Sequence, residues 1–204
     1  MSKAKVGLVV LLSLAGLVLF ASCSKPKAVL HVSIPEGGYY PVDVRIWIQV
    51  PNPEPGEPDI WTWTYRDATV DCELCYYQTG AGVPTYPSEN ILRLDRYSIT
   101  WTPASPQVKL PGLSGALDVY LRANFKGDFV TVPVLVMPAV CKDTVSAFSG
   151  IVGDPEEQIY TGGQILAKGR IKFEGTDLLT GEAITGEATI NAVFADYMDP
   201  NKLH

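Results

Sequence analysis

The sequence has little histidine and fewer basic than acidic side chains. Two of its 204 residues are histidine, His31 and the terminal His204, and 22 acidic side chains outnumber 16 basic ones. Histidine-based catalysis and zinc binding need imidazoles held by other groups, so we expect no catalytic residue, no metal and no cofactor. An acidic chain without a basic stripe repels phosphate backbones, which predicts no nucleic-acid partner.

Helical periodicity is also missing. After residue 23, no segment has a convincing apolar stripe with the 3.6-residue period of a helix. The 16 prolines and 18 glycines are spread along the chain without a period. Such a distribution suits turns between short strands and argues against a helical bundle.

The N-terminus has the pattern of a signal peptide. Lys3 and Lys5 precede an apolar run over residues 6–20, and the small residues Ala21 and Ser22 follow it. The run is shorter than the roughly 20 apolar residues that a membrane-spanning helix needs. We therefore expect residues 1–22 to be a signal helix that is cleaved during export.

The residues Phe20, Ala21, Ser22 and Cys23 resemble the lipobox of bacterial lipoproteins, which usually has Leu where this chain has Phe20. The resemblance implies acylation of Cys23 and a lipid anchor in the cell membrane or outer membrane, outside the cytoplasm. Residues 23–27 would then be a tether whose last four residues span at most about 14 Å. Ordinary secretion, with cleavage after Ala21 or Ser22, is the alternative.

Alternation of apolar and polar residues dominates residues 28–204, which we interpret as one domain. A strand sends successive side chains to opposite faces, so this period predicts half-buried strands. The predicted strands cover 28–34, 44–50, 61–65, 97–101, 117–125, 129–137, 165–173 and 188–194. Two hairpins are expected, one from the strands over 117–125 and 129–137 and the other from those over 165–173 and 188–194. Pro133 places its strand at an edge or beside a bulge. This pattern predicts an all-β fold, an antiparallel β-sandwich of immunoglobulin-like architecture, with an open β-barrel as the alternative.

Three cysteines follow Cys23, namely Cys72, Cys75 and Cys141. An exported location favours one disulfide among them, and proximity in sequence slightly favours Cys72 with Cys75. Thiols without a disulfide, intermolecular pairing, and a metal or redox site at the Cys72-Glu73-Leu74-Cys75 spacing are the alternatives.

Tryptophan and tyrosine side chains are the candidate binding residues, because aromatic rings bind sugar rings or partner proteins. The candidates are Trp61, Trp63, Tyr65 and Trp101. We expect them to fill the space between two sheets instead. The predicted function is therefore a non-catalytic binding or structural module of the cell envelope, with other envelope or surface proteins as partners. The alternatives are a carbohydrate-binding or carbohydrate-active surface protein and a fibre subunit assembled by strand addition.

Overall fold

The computed structural model describes residues 27–35, 39–79, 90–123, 128–145, 148 and 163–196. The signal peptide and Cys23 lie outside these residues, so their predicted roles stay predictions. The described chain forms ten strands and one short α-helix. They are β1 (Lys27–Ser33), β2 (Tyr39–Asp43), β3 (Ile46–Val50), β4 (Ile60–Thr64), β5 (Ala68–Thr79), β6 (Ile91–Pro103), β7 (Leu113–Arg122), β8 (Val130–Met137), α1 (Ala139–Thr144), β9 (Ile165–Asp177) and β10 (Ala183–Ala195).

The strands form three sheets, which confirms the all-β prediction. A three-stranded sheet has the order β1-β5-β8, a five-stranded sheet has the order β2-β10-β9-β6-β7, and β3 pairs with β4. The prediction that all pairing is antiparallel is wrong, because β2 lies parallel to β10. Side chains alternate in the same way in parallel and antiparallel strands, so the sequence pattern does not indicate the direction in which β2 pairs.

The two larger sheets pack on each other through alternating apolar residues. Leu30 and Val32 of β1 lie against Gly186 of β10, where a Cβ atom would lie 2.7 Å from each of these side chains. The Tyr97 hydroxyl of β6 donates a hydrogen bond across to the carbonyl of Leu135 in β8, at 3.2 Å. Glycine at position 186 thus permits the close approach that the core requires.

One predicted hairpin is confirmed and the other is wrong. β9 and β10 pair over their whole length as expected. β7 and β8 are strands near the predicted positions, but β7 pairs with β6 while β8 pairs with β5 in the other sheet. Pro133 does lie in an edge strand, as its missing N–H predicts.

The body of the protein has two opposite ends. We call one of them the anchor end, after the predicted lipid anchor at Cys23. It comprises the start of β1 and the end of β5, which pair through Lys27 and Thr79, and the turn over 178–182, next to which Asp177 accepts a hydrogen bond from Tyr76 of β5. The opposite end, which we call the hairpin end, comprises the start of β5, the end of β10 and α1. The 12 residues of β5 separate the two ends by roughly 36 Å. Among the described residues, no helix is long and apolar enough to cross a membrane.

Candidate functional site

The β3-β4 hairpin presents an aromatic surface at the hairpin end. Its register places Trp47 opposite Trp63 and Gln49 opposite Trp61. Because side chains alternate along a strand, these four residues lie on one face of the hairpin. Arg45 and Tyr65 extend it by the same parity. We call this surface the aromatic face: Arg45, Trp47, Gln49, Trp61, Trp63 and Tyr65.

The aromatic face lies outside the core, contrary to the expectation that its tryptophans fill the space between two sheets. Trp63 is 41 % exposed, and Trp61 and Tyr65 are half-buried. No residue of β3 or β4 belongs to the core cluster of the described chain. Trp101 is different: it is 7 % exposed and packs edge-on against Phe194 at 5.2 Å between ring centroids. The core prediction is therefore correct for Trp101 and wrong for Trp63.

Contacts within the aromatic face hold its rings in place. The rings of Trp63 and Tyr65 meet edge to face, with their centroids 5.0 Å apart. The Arg45 guanidinium carbon lies 4.8 Å from the centroid of the Trp63 ring, which is a cation–π contact. Gln49 donates a hydrogen bond from Nε2 to Oδ2 of Asp59 at 3.1 Å. The face thus combines fixed rings with polar groups at its margin.

Residues of the main body support the base of the hairpin. Trp47 donates from Nε1 to Oδ1 of Asp196 at 3.0 Å, just after β10. The backbone N–H of Val44 donates to the carbonyl of Ala195 at 2.8 Å. These two bonds join the base of the hairpin to the end of β10.

A buried lysine supports the same base from α1. The Lys142 ammonium donates to the backbone carbonyl of Asp43, at the end of β2. Burial lowers the pKa of Lys142, while Asp43 and Asp67 act in the opposite direction. The Ala139 N–H donates to Oδ1 of Asp67 at 2.8 Å, so α1 is fixed on both sides of the hairpin.

Charge at the hairpin tip is acidic. The loop between β3 and β4 carries Glu54, Glu57 and Asp59, and all three are exposed. Such a tip repels polyanions, whereas the rings behind it suit apolar surfaces such as the faces of pyranose rings. The arrangement therefore favours an uncharged ligand over an acidic one.

The predicted disulfide is absent, since Cys72, Cys75 and Cys141 are not joined. Both Cys72 and Cys75 lie within β5 and are buried. Cys75 follows Cys72 by three residues along an extended strand, which places their Cα atoms about 10 Å apart and their side chains on opposite faces. A disulfide needs a Cα–Cα distance of about 4.4–6.8 Å. Burial, with a smaller contribution from Asp71, raises the pKa of the Cys72 thiol to about 12. A thiol in this environment is a poor nucleophile.

The histidine that the sequence offers is not part of the aromatic face. His31 lies exposed on β1, with its ring centroid 5.9 Å from that of Phe129. Within the described residues, no group of three or more His, Cys, Asp or Glu side chains could hold a metal ion.

Sequence reasoning missed three members of the aromatic face: Arg45, Trp47 and Gln49. Their alternation with Ile46 and Ile48 predicts only the polar side of a half-buried strand. The available signal was that Trp47 and Trp61–Tyr65 flank one proline-rich loop, as the two arms of a hairpin would.

In comparisons with known proteins, no family model, no curated protein and no solved structure matches the chain.

Proposed function

We propose that this protein is a lipid-anchored, non-catalytic binding module of the cell envelope that holds neutral polysaccharide on its aromatic face. The observation that carries the proposal is the exposure of Trp63 on a hairpin whose rings are fixed but lie outside the core. In a purely structural module, aromatic rings contribute most when they are buried in the core. A carbohydrate-binding module uses them to stack on sugar rings.

The opposite positions of anchor and hairpin support the same proposal. The lipobox resemblance assigns the lipid to Cys23, four residues before Lys27 at the anchor end. The aromatic face is at the other end of β5, roughly 36 Å away. An anchored module with this layout directs its binding surface away from the membrane and towards the material around the cell.

We propose also that the body is an immunoglobulin-like sandwich with the β3-β4 hairpin as an insertion. The strand order supports it: β1, β5 and β8 correspond to strands A, B and E, and β6, β9 and β10 to C, F and G. β7 then takes the place of the additional strand next to C. Buried Trp101 lies on β6, the strand that carries the core tryptophan in that fold.

Assembly by strand addition is less well supported. Of the four edge strands in the two larger described sheets, β2 carries Pro41 and β8 carries Pro133. Proline cannot donate a ladder hydrogen bond, so these two edges are poor templates for an added strand.

The test of ligand binding compares Trp63→Ala with Tyr120→Ala, which removes an exposed aromatic ring from β7, outside the hairpin. We expect Trp63→Ala to lower affinity for insoluble neutral glucans or chitin roughly ten-fold, as loss of one aromatic stacking contact does. Tyr120→Ala should bind as the parent does. Equal retention of both variants would refute the polysaccharide proposal, and retention on an envelope protein instead would favour a protein partner.

The test of the anchor is Cys23→Ala. Because no other residue supplies the thioether, we expect this variant to take up no labelled fatty acid and to leave the membrane fraction. Label that persists on the variant would contradict lipidation at Cys23.

A further inference from the structure

Two exposed leucines form the tip of the turn between β9 and β10. Leu179 is 72 % exposed, and its neighbour Leu178 is also exposed. The turn is rigidly built: Asp177 accepts hydrogen bonds through Oδ1 from the backbone N–H groups of Leu179 at 2.8 Å and Thr180 at 2.9 Å. Gly181, with a φ of 71°, closes it with an N–H bond to the Asp177 carbonyl. The leucines are therefore held outward by defined bonds.

The turn lies at the anchor end. The buried Tyr76 hydroxyl, near the end of β5, donates to Oδ2 of Asp177 at the base of the turn. The N–H of Leu178 donates to the carbonyl of Ile91, at the start of β6, at 2.8 Å. Lys27 pairs with Thr79 at this same end. Two more exposed apolar residues lie on this half of the protein, since Val130 begins β8 and Phe129 directly precedes it.

The length of the tether determines what lies near these leucines. With lipid on Cys23, the four residues from there to Lys27 span at most about 14 Å, so the anchor end stays close to the bilayer. Charges around this end have both signs, with Lys27 and Arg122 against Asp128 and Glu182, and give no strong attraction to anionic lipid. The free energy of any contact between this end and the bilayer must therefore come from apolar side chains that enter the membrane–water interface.

We propose that the Leu178-Leu179 turn inserts into the outer part of the bilayer beside the lipid anchor. The insertion gives the domain a fixed orientation, with the anchor end in contact with lipid and the aromatic face directed outward. This inference rests on the lipid anchor of the proposed function.

The test uses the full acylated protein in phosphatidylethanolamine–phosphatidylglycerol vesicles that contain lipid with a nitroxide quencher. Leu179→Cys carries an environment-sensitive fluorophore at the turn. Val140→Cys is the matched control, since Val140 is 69 % exposed but lies on α1 at the hairpin end. The parent protein, treated with the same reagent, gives the background from the native cysteines. We expect emission from position 179 to shift to the blue and to be quenched at least two-fold more than that from position 140.

Acylation is measured separately by mass on the same samples. Acylated protein with equal, weak quenching at both positions overturns the insertion and leaves the anchor intact. A chain that carries no acyl group overturns the anchor and, with it, the insertion.

Discussion

The Tyr76 hydroxyl of the three-stranded sheet donates a hydrogen bond to the Asp177 carboxylate, where β9 of the five-stranded sheet ends. Both side chains are buried. Burial and the adjacent carboxylate raise the pKa of Tyr76 well above its ordinary value. Burial alone would raise the pKa of Asp177, but hydrogen bonds from Tyr76, Thr180 and Leu179 outweigh it and lower that pKa. One ionised carboxylate thus joins the two sheets and shapes the leucine turn.

Removing this hydroxyl should destabilise the fold. Tyr76→Phe keeps the ring and leaves Asp177 with one partner fewer, which we expect to lower the free energy of unfolding by about 1–3 kcal/mol. Urea unfolding at neutral pH measures the change. Tyr120→Phe, at an exposed position, should change it by less than about 0.5 kcal/mol. Equal midpoints for the two variants would show that the Tyr76 bond adds nothing.

Acid should remove the stabilisation that Asp177 provides. Its pKa is lower in the folded than in the unfolded protein, so the stabilisation is complete above about pH 5, roughly one unit above the unfolded-state pKa, and is lost as the pH falls through the folded-state pKa. The stability difference between the parent and Asp177→Asn should therefore shrink between about pH 5 and pH 2. Urea midpoints across this range test it, with exposed Asp118→Asn as the control. A difference that does not vary with pH would contradict the ionised Asp177.

Much of the fold follows from alternation in the sequence, because alternation records which side chains face inward. Leu30 and Val32 face the core as predicted, and so do Ile171 and Phe173. Alternation does not record which strand is the neighbour. β7 and β8 are consecutive and both alternate, yet they belong to different sheets. Their partners are set by packing between residues far apart in the sequence.

Alternation alone does not identify the aromatic face, for a related reason. β3 carries Ile46, Ile48 and Val50 on one face and Trp47 with Gln49 on the other, so a large apolar side chain stands on each face and neither is marked as the inner one. The structure resolves this by placing the hairpin outside the core. The cysteine spacing has a similar ambiguity: proximity in sequence favours a disulfide, but an extended strand separates Cys72 from Cys75.

Thiol chemistry should reflect the buried strand position of Cys72. With its pKa raised to about 12, the Cys72 thiol holds almost no thiolate at pH 8, and alkylation requires unfolding. We expect native protein to leave Cys72 unmodified by iodoacetamide. Urea-denatured, unreduced protein should take up label at Cys72, Cys75 and Cys141. Peptide mass spectrometry measures both states, and a linked pair of cysteine peptides would restore the disulfide prediction.

Buried Trp101 and exposed Trp63 should differ in how much each contributes to the free energy of unfolding. Trp101→Ala empties a core position beside Phe194 and should cost about 3–5 kcal/mol. Trp63→Ala removes a ring outside the core and should cost less than about 1 kcal/mol, mainly through its contacts with Arg45 and Tyr65. Urea unfolding of both variants tests the contrast. A large loss in Trp63→Ala would mean that the hairpin is structural.

Gly175 should be the least replaceable glycine of β9, because a bulge in β6 lies against it. Leu94 pairs with Gly175 and Arg96 with Glu174, so Asp95 is the extra residue of the bulge. A Cβ atom on Gly175 would lie 2.2 Å from the Arg93 carbonyl oxygen and 2.9 Å from the Leu94 Cα. Backbone atoms cannot rotate away as a side chain can, so both strands would have to separate.

We expect Gly175→Ala to cost at least about 1–3 kcal/mol, the usual cost of an added methyl group in a packed interior. Gly163→Ala is the control, since nothing lies within 4 Å of its Cβ position. Urea midpoints compare the two, and a Gly175→Ala variant as stable as Gly163→Ala would mean that the bulge adapts freely.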